Sequence, residues 1–386
     1  MPTCVALIVA GGRGERFGAD LPKQYLHLAG RPVLRRSVEP FLHHPLVSGV
    51  RVVIDPRHRE LYEQAVQGLD LPDPIQGGPT RQDSVRNGLE ALVGHSPDLV
   101  LIHDAARPLV DAATITRVVE ALAKHPGAIA AIPLADTLKR AEGGLSAGTV
   151  DRTALWRART PQGFRFADIL KAHRMAVGMN LTDDAAVAEQ AGLPVALVPS
   201  NPENLKVTQS DDLARAERLF LSGLGDIRTG TGFDVHKFCE GDHVWLCGVK
   251  VPHTQRLEGH SDADVGLHAL TDAILGCLGE GDIGTHFPPS DPQWKGADSA
   301  KFLRHAADLV ARRGGVIAHV DVTILCERPK VGPHREAMVA RMAEILGIAP
   351  SRVSVKATTT EGLGFTGRRE GIAAQAAATV RLPFTE

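Results

Sequence analysis

Over the first two hundred residues, short apolar runs alternate with amphipathic stretches. Candidate strands fall at residues 5–9, 50–54, 99–103, 128–132 and 195–198, with helical text between them, for example at 83–92 and 114–124. This βαβ alternation predicts a mostly parallel sheet covered on both faces. Residues 136–158 break the rhythm. They carry a Gly-rich turn (Gly143, Gly144, Gly148) between two polar–apolar runs and read as a protruding hairpin. Such an arm has little core of its own and is expected to pack on a partner subunit. A helix at 210–221 stops at Gly223-Leu-Gly225, and new strand-like text begins at Arg228. The division is therefore 1–224, a linker 225–227, and 228–386. The second segment predicts strands near 227–233, 244–247, 319–325, 353–356 and 372–380, and helices at 263–276, 299–312 and 334–346. That is an α+β or mixed α/β domain of ordinary size. No internal repeat or low-complexity tract is visible.

The chain's 386 residues suffice for two domains, and 43% hydrophobic with 23% charged residues is ordinary for a globular protein. The formal net charge of −2 gives no bulk attraction to nucleic acid or an anionic membrane, and with only 4% aromatics base-stacking platforms are not expected. The five cysteines (Cys4, Cys239, Cys247, Cys277, Cys326) show no CxxC spacing, which fits a reduced, cytoplasmic setting. No signal peptide is read at the N-terminus, and no apolar stretch approaches membrane-spanning length.

Candidate chemistry appears first after the first strand, at Ala10-Gly-Gly-Arg-Gly-Glu-Arg-Phe-Gly18. A Gly-rich turn there lets backbone N–H groups approach phosphate. It is no P-loop, since no Gly-Lys-Ser/Thr follows, and Phe17 breaks the dinucleotide fingerprint. Arg13, Arg16 and Lys23 surround the loop with positive charge, as a triphosphate under attack requires. The third strand runs into Asp104-Ala-Ala-Arg-Pro108, which puts a carboxylate at the sheet edge where open α/β sheets bind ligands. It suits Mg²⁺ bridging phosphates, or else a loop-capping pair with Arg107.

The second segment holds Gly230-Thr-Gly-Phe-Asp-Val-His236 and His260-Ser-Asp-Ala-Asp264, with His268 following. Asp234 and His236 share a face if on a strand, and Asp264 and His268 share one if on a helix. Two histidines and a carboxylate fit zinc with a fourth position open to a substrate oxygen, which is Lewis-acid chemistry. Spacing leaves open whether Asp234 or Asp264 is the carboxylate.

The first segment resembles the 2-C-methyl-D-erythritol 4-phosphate cytidylyltransferases over roughly residues 3–222. The resemblance rests on the Gly-rich loop, Pro22-Lys-Gln-Tyr25, Gly77-Gly-Pro-Thr-Arg-Gln-Asp-Ser84, His103-Asp-Ala-Ala-Arg107, Asp151-Arg152, Thr160-Pro-Gln162, Thr182-Asp183 and Asn204-Leu-Lys-Val-Thr208, in that order. It implies a Rossmann-like nucleotidyltransferase fold with a protruding β-arm, and transfer of CMP from CTP to methylerythritol phosphate with release of pyrophosphate. Arg16 and Lys23 would stabilise charge on the α-phosphate, and Asp104 would hold Mg²⁺. Arg152 and Lys206 would position the substrate phosphate, with Thr137 nearby. Ala10, Gly11, Gly12, Ser84 and Arg107 would line the nucleotide site. Where the family often has Pro-Ala-Ala-Gly, this chain has Val9-Ala-Gly-Gly12.

From Arg228 onward the chain resembles 2-C-methyl-D-erythritol 2,4-cyclodiphosphate synthases. The supporting text is Gly232–His236, His260–Asp264, Leu267-His268, Gly281–Gly284, Phe287–Asp291, Lys356–Glu361 and Gly364–Arg368. The resemblance implies Asp234, His236 and His268 as zinc ligands. It also implies attack of the 2-phosphate on the β-phosphate of the CDP-linked substrate, expelling CMP. His260 and Thr359 would support developing charge. Ser261, Asp282, Ile283, Gly284, Lys330, Thr358, Thr360, Glu361, Phe365 and Arg368 would bind substrate, with Glu361 sharing Mg²⁺. The family builds its site between neighbouring subunits, so trimeric second domains and arm-paired dimers of first domains are expected, up to a hexamer. The partners are then small molecules, with neither nucleic acid nor membrane. A kinase step separates the two implied activities, and the chain shows no kinase signature. The competing readings are a sugar-phosphate nucleotidyltransferase fused to an unrelated metallohydrolase, and an inert binding scaffold.

Overall fold

The computed structural model describes residues 2–11, 21–288, 291–294 and 296–384. The chain forms two compact units, Met1–Phe220 and Leu221–Glu386.

The first unit is built on a seven-stranded sheet. Its order is Val195–Pro199, Gly127–Pro133, Trp156–Arg165, Leu99–Asp104, Cys4–Ala10, Gly49–Ile54, Ile75–Gln76. Only Trp156–Arg165 runs antiparallel to its neighbours. All six residues of Leu99–Asp104 are buried, as a central strand covered on both faces requires. Helices Val33–Leu42 and Ala112–Ala121 cover one face through Leu34, Val38, Phe41, Ile115 and Val118. Helices Arg81–Ala91, Phe166–Met175 and Asp184–Gln190 cover the other through Val85, Leu89, Ile169 and Val187. Thr80, Asp111 and Asp183 cap their helices by accepting the N–H of Asp83, Thr114 and Ala186.

The segment expected as one hairpin, 136–158, is two things. The arm is Leu138–Glu142 paired with Leu145–Val150 around a Gly143-Gly144 turn. Gly148 lies within the second arm strand and is not part of the turn. From Trp156 the chain is already in the antiparallel sheet strand. That strand, WRARTPQGFR, is polar in its outer half, so it carried no apolar signal.

The second unit has a five-stranded sheet in the order Gln255–Leu257, Asp226–Glu240, Gly371–Leu382, Val316–Leu325, Val353–Thr358. Its first long strand spans 15 residues, twice the expected 227–233. Helix Val265–Leu278 lies buried across this sheet, and Ala300–Arg312 packs between it and Arg335–Leu346. Two glycines set how closely it lies. A Cβ at Gly230 would stand 2.2 Å from the Ala273 carbonyl oxygen, and one at Gly232 would stand 2.0 Å from that of Ala269. Strand backbone and helix backbone therefore touch. The next two residues on that strand face are Asp234 and His236, opposite His268 on the helix. The other face of the strand leaves Ile227, Phe233 and Val235 exposed.

Candidate active sites

In the first unit, Ala10 and Asp104 end neighbouring parallel strands in register, with Val9 opposite Asp104. Ser84, in the first turn of helix Arg81–Ala91, is buried, and its Oγ would stand 3.0 Å from a Cβ at Gly11 and 3.1 Å from one at Gly77. Only backbone fits between them. The Gly78 N–H donates to Ser84 Oγ at 3.0 Å. This edge is thus a shelf of backbone with one hydroxyl beneath it.

Beside the shelf, Asp104 is enclosed by cations. Arg81 Nε lies 3.0 Å from its Oδ1, Lys206 Nζ 2.7 Å from its Oδ2, and Arg107 Nε 3.9 Å away. Burial opposes its charge, but the Arg81, Lys206 and Arg107 charges prevail and hold the carboxyl far below the usual range. Arg81 also reaches buried Asp184 Oδ2 at 2.8 Å. His173 Nε2 approaches the other oxygen of Asp184 to 3.3 Å, off the line of a hydrogen bond. Burial pushes the His103 pKa down to about 4, so its ring is neutral. Its Nε2–H donates to the Arg107 carbonyl at 3.1 Å, and Thr160 Oγ1 bridges its Nδ1 to the Asp104 N–H. The strand-end carboxylate is therefore fixed from both its backbone and its side chain. Asp104 offers a cation one carboxylate, so an ion here would be held mostly by phosphates.

Of the residues proposed from sequence, the structure brings Ala10, Gly11, Ser84, Asp104, Arg107 and Lys206 to one edge. Gly12 and Arg16 lie outside the described residues, as does Arg13. Lys23 opens the 3₁₀ turn Lys23–Tyr25. Thr137 and Arg152 are exposed at the base of the arm, and Arg152 donates to the Ala135 carbonyl. Among the described residues, neither makes a hydrogen bond or ion pair to Asp104. Sequence reasoning missed Arg81 and Asp184. Arg81 stands inside the motif Gly77–Ser84, but nothing local marks a residue paired 103 positions away.

In the second unit, ligand atoms of Asp234, His236 and His268 lie within 4.8 Å of one another. His236 Nε2 and His268 Nδ1 are each 3.0 Å from Asp234 Oδ2, and 3.1 Å from each other. The His236 Nδ1–H donates to the Glu258 carbonyl at 2.8 Å, which leaves Nε2 bare toward the centre. Lone pairs converging at this spacing fit a cation between them, and N and O donors suit a divalent metal. Burial opposes the Asp234 charge, but its two histidine partners hold the carboxyl low.

Asp264, the other carboxylate that spacing allowed, lies outside this cluster. It caps helix Val265–Leu278 and accepts N–H groups from Cys247, Gly248 and Leu267. Burial lifts its pKa to about 6 against those donors. His260 is exposed after Gly259, whose Cβ position lies 3.3 Å from His236 Cε1. Ser261 Oγ is 3.1 Å from His268 Nε2. Asp282 caps the short helix Ile283–His286, and the Ile283 N–H donates to Asp272 Oδ1 one turn beyond His268.

Thr358–Glu361 lie elsewhere. The sheet register aligns Val235, Ala373, Leu325 and Thr358 across four strands. Three strand spacings separate them, about 14 Å. Thr359 Oγ1 donates to Glu361 Oε1 at 2.6 Å, and Glu327 Oε1 accepts from the Thr360 N–H at 3.3 Å. Lys330 follows this edge, Phe365 lies on the short helix Gly364–Gly367, and Arg368 pairs with Glu370 at 2.9 Å. Within one chain, the triad and the threonine loop are separate.

Residues 4–222 match the family 2-C-methyl-D-erythritol 4-phosphate cytidylyltransferase, and residues 227–381 match the YgbB family. The bifunctional enzyme IspD/IspF of Paramagnetospirillum magneticum is 61% identical over 384 residues, covering 99% of this chain and 100% of that protein. The chain belongs to the bifunctional IspD/IspF family. The Rhodospirillum rubrum enzyme of the same name is 62% identical over 385 residues, covering 100% of both chains. A crystal structure of 4-diphosphocytidyl-2C-methyl-D-erythritol synthase, 32% identical, covers 57% of this chain and 98% of its own, with a TM-score of 0.51. Family membership removes the unrelated-metallohydrolase reading. Among the described residues, no helix is long and apolar enough to cross a membrane.

Proposed function

We propose that this chain catalyses two reactions of isoprenoid-precursor synthesis in two separate sites. The first unit transfers CMP from CTP to 2-C-methyl-D-erythritol 4-phosphate, releasing pyrophosphate. The second cyclises 4-CDP-2-C-methyl-D-erythritol 2-phosphate to the 2,4-cyclodiphosphate, releasing CMP. The observation that carries this reading is a strand-end carboxylate ringed by cations in one unit and a His–His–Asp cluster in the other, together with whole-length similarity to bifunctional enzymes. The steps are not consecutive, because the first product needs a phosphate on its 2-hydroxyl before the second site can use it.

In the first site, the Gly-rich turn and Ser84 would receive the nucleotide. Arg16 and Lys23 would take up charge that grows on the α-phosphate oxygens, where stabilisation lowers the barrier rather than tightening the ground state. Lys206 and Arg152 would bring up the substrate phosphate, with Thr137 beside it. Asp104, released in part from Arg81 and Lys206, would share Mg²⁺ with the phosphates. That ion supplies charge neutralisation when bound.

In the second site, Asp234, His236 and His268 would hold Zn²⁺, which when bound supplies a Lewis acid for the β-phosphate. His260 and Thr359 would support charge developing at the phosphates. Ser261 and Asp282–Gly284 would lie by the methylerythritol end. Lys330, Thr358, Thr360, Glu361, Phe365 and Arg368 would serve the cytidine diphosphate, with Glu361 sharing Mg²⁺. The separation of about 14 Å between the triad's strand and the threonine loop favours a site completed by a neighbouring chain. Exposed Ile227, Phe233 and Val235 support assembly of three second units through this sheet face. The arm would pair first units. Five free cysteines support a cytoplasmic setting.

The test is a pair of assays on the purified chain, one with CTP plus methylerythritol phosphate and one with the phosphorylated CDP intermediate. Lys23→Ala should slow the first by about 10²-fold or more and leave the second at the wild-type rate. Activity with UTP or GTP and a hexose phosphate, with none on these substrates, would refute the assignment.

A further inference from the structure

The ring of His268 is held at both nitrogens. Nδ1 faces Asp234 and His236. Nε2 lies 2.9 Å from the Oγ of Ser299, a fully buried residue 31 positions further on, just before helix Ala300–Arg312. The Ser299 hydroxyl contacts Asp262 Oδ1, and the Ser299 N–H donates to Asp262 Oδ2 at 3.1 Å. The Asp264 N–H also donates to Asp262 Oδ1, at 3.2 Å. A carboxylate that collects three donors only accepts. The Ser299 proton is therefore committed to Asp262, and the Ser299 lone pairs face His268.

That orientation has a consequence for the imidazole. A neutral ring carries one proton, and a lone pair at Nε2 draws it there. Asp234 Oδ2, 3.0 Å from Nδ1, competes for the same proton, and the Ser299 acceptor biases the ring against it, toward a bare Nδ1. Ser261 Oγ is a second neighbour of Nε2 at 3.1 Å, but no carboxylate commits its proton. His236 is set the same way by a fixed backbone group, the Glu258 carbonyl. For His268 the setting depends on two side chains.

We propose that Asp262 and Ser299 are positioning residues of the metal centre: the chain Asp262–Ser299–His268 selects the tautomer whose Nδ1 is open to a divalent cation. The inference rests on the reading of Asp234, His236 and His268 as the ligands. Partners of this kind, one bond removed from the metal, typically shift its affinity by about 10–100-fold.

The experiment is a zinc titration of the full chain against a competing chelator at neutral pH, below each variant's thermal transition. Ser299→Ala and the shape-preserving Asp262→Asn are expected to bind zinc about 10–100-fold more weakly than the wild type. Ser299→Thr, which keeps the hydroxyl, is expected to retain wild-type affinity. Cytidylyl transfer should not change in any of them. Long-range proton–nitrogen spectra of the zinc-free protein should show the Nε2–H population of His268 falling in Ser299→Ala and Asp262→Asn, a change that general loosening would not produce. If Ser299→Ala does not fold, Asp262→Asn carries the comparison. Zinc affinity in Asp262→Asn within about twofold of wild type would overturn this inference alone. A wild-type chain that takes up no zinc would overturn the ligand reading and this inference with it.

Discussion

Arg81 is shared between two buried carboxylates, Asp104 at 3.0 Å and Asp184 at 2.8 Å. Removing it leaves fully buried Asp184 without its guanidinium partner and Asp104 with only Lys206 and Arg107. Breaking a buried pair by deleting one partner costs about 3–5 kcal/mol, so Arg81→Met should lower the stability of the first unit by about that much in urea unfolding. The pH dependence follows from the same geometry. Both carboxyls are held low despite burial, chiefly by Arg81. A depressed carboxyl adds stability that is present above its unfolded value, about 3.9, and is lost as pH falls through the lower folded one. The wild-type first unit should therefore stay folded until well below pH 4, and Arg81→Met should unfold at higher pH, as circular dichroism would record. An unchanged acid midpoint would contradict the pairing. Asp104 was legible in the sequence because it ends an apolar strand. Arg81, Asp184 and Ser299 were not, because their partners lie 23, 103 and 31 positions away.

At the scale of elements, the triad depends on how closely strand Asp226–Glu240 and helix Val265–Leu278 approach. Gly232 has no room for a Cβ, since the Ala269 carbonyl oxygen would be 2.0 Å from it and belongs to a helix backbone. Gly232→Ala must push the two apart, and overpacking of this kind costs about 1–3 kcal/mol. It also draws Asp234 and His236 away from His268. The expected result is a lower melting transition together with weaker zinc uptake, while cytidylyl transfer is retained. Normal zinc affinity in this variant would show that the glycine contact does not set the site. The main parallel strands were legible as apolar runs. The antiparallel strand Trp156–Arg165 was not, because its exposed half reads as arm. The length of Asp226–Glu240 was hidden too, since Gly, Asp, His and Lys interrupt its apolar text.

For the whole molecule, the question is which chain supplies which half of the second site. In the proposed assembly, a head-to-tail contact that closes into a ring would give each interface the triad of one chain and the threonine loop of the next. His236→Ala chains then lack every triad but keep their threonine loops. Thr359→Ala chains lack the threonine but keep their triads. Each variant alone should be nearly inactive in ring closure. Unfolded together and refolded, or co-expressed, they assemble at random. An interface is intact only when a Thr359→Ala chain offers its triad to a His236→Ala chain, which happens at about one interface in four. Ring closure should return to about a quarter of the wild-type rate, while cytidylyl transfer stays at its wild-type value throughout, because neither substitution touches the first unit. Phe233→Asp in both chains places a charge on the exposed sheet face, and it should abolish the recovery and reduce the assembled species in light scattering. If each chain completes its own site across the roughly 14 Å between the triad's strand and its own threonine loop, mixing restores nothing and Phe233→Asp leaves ring closure untouched.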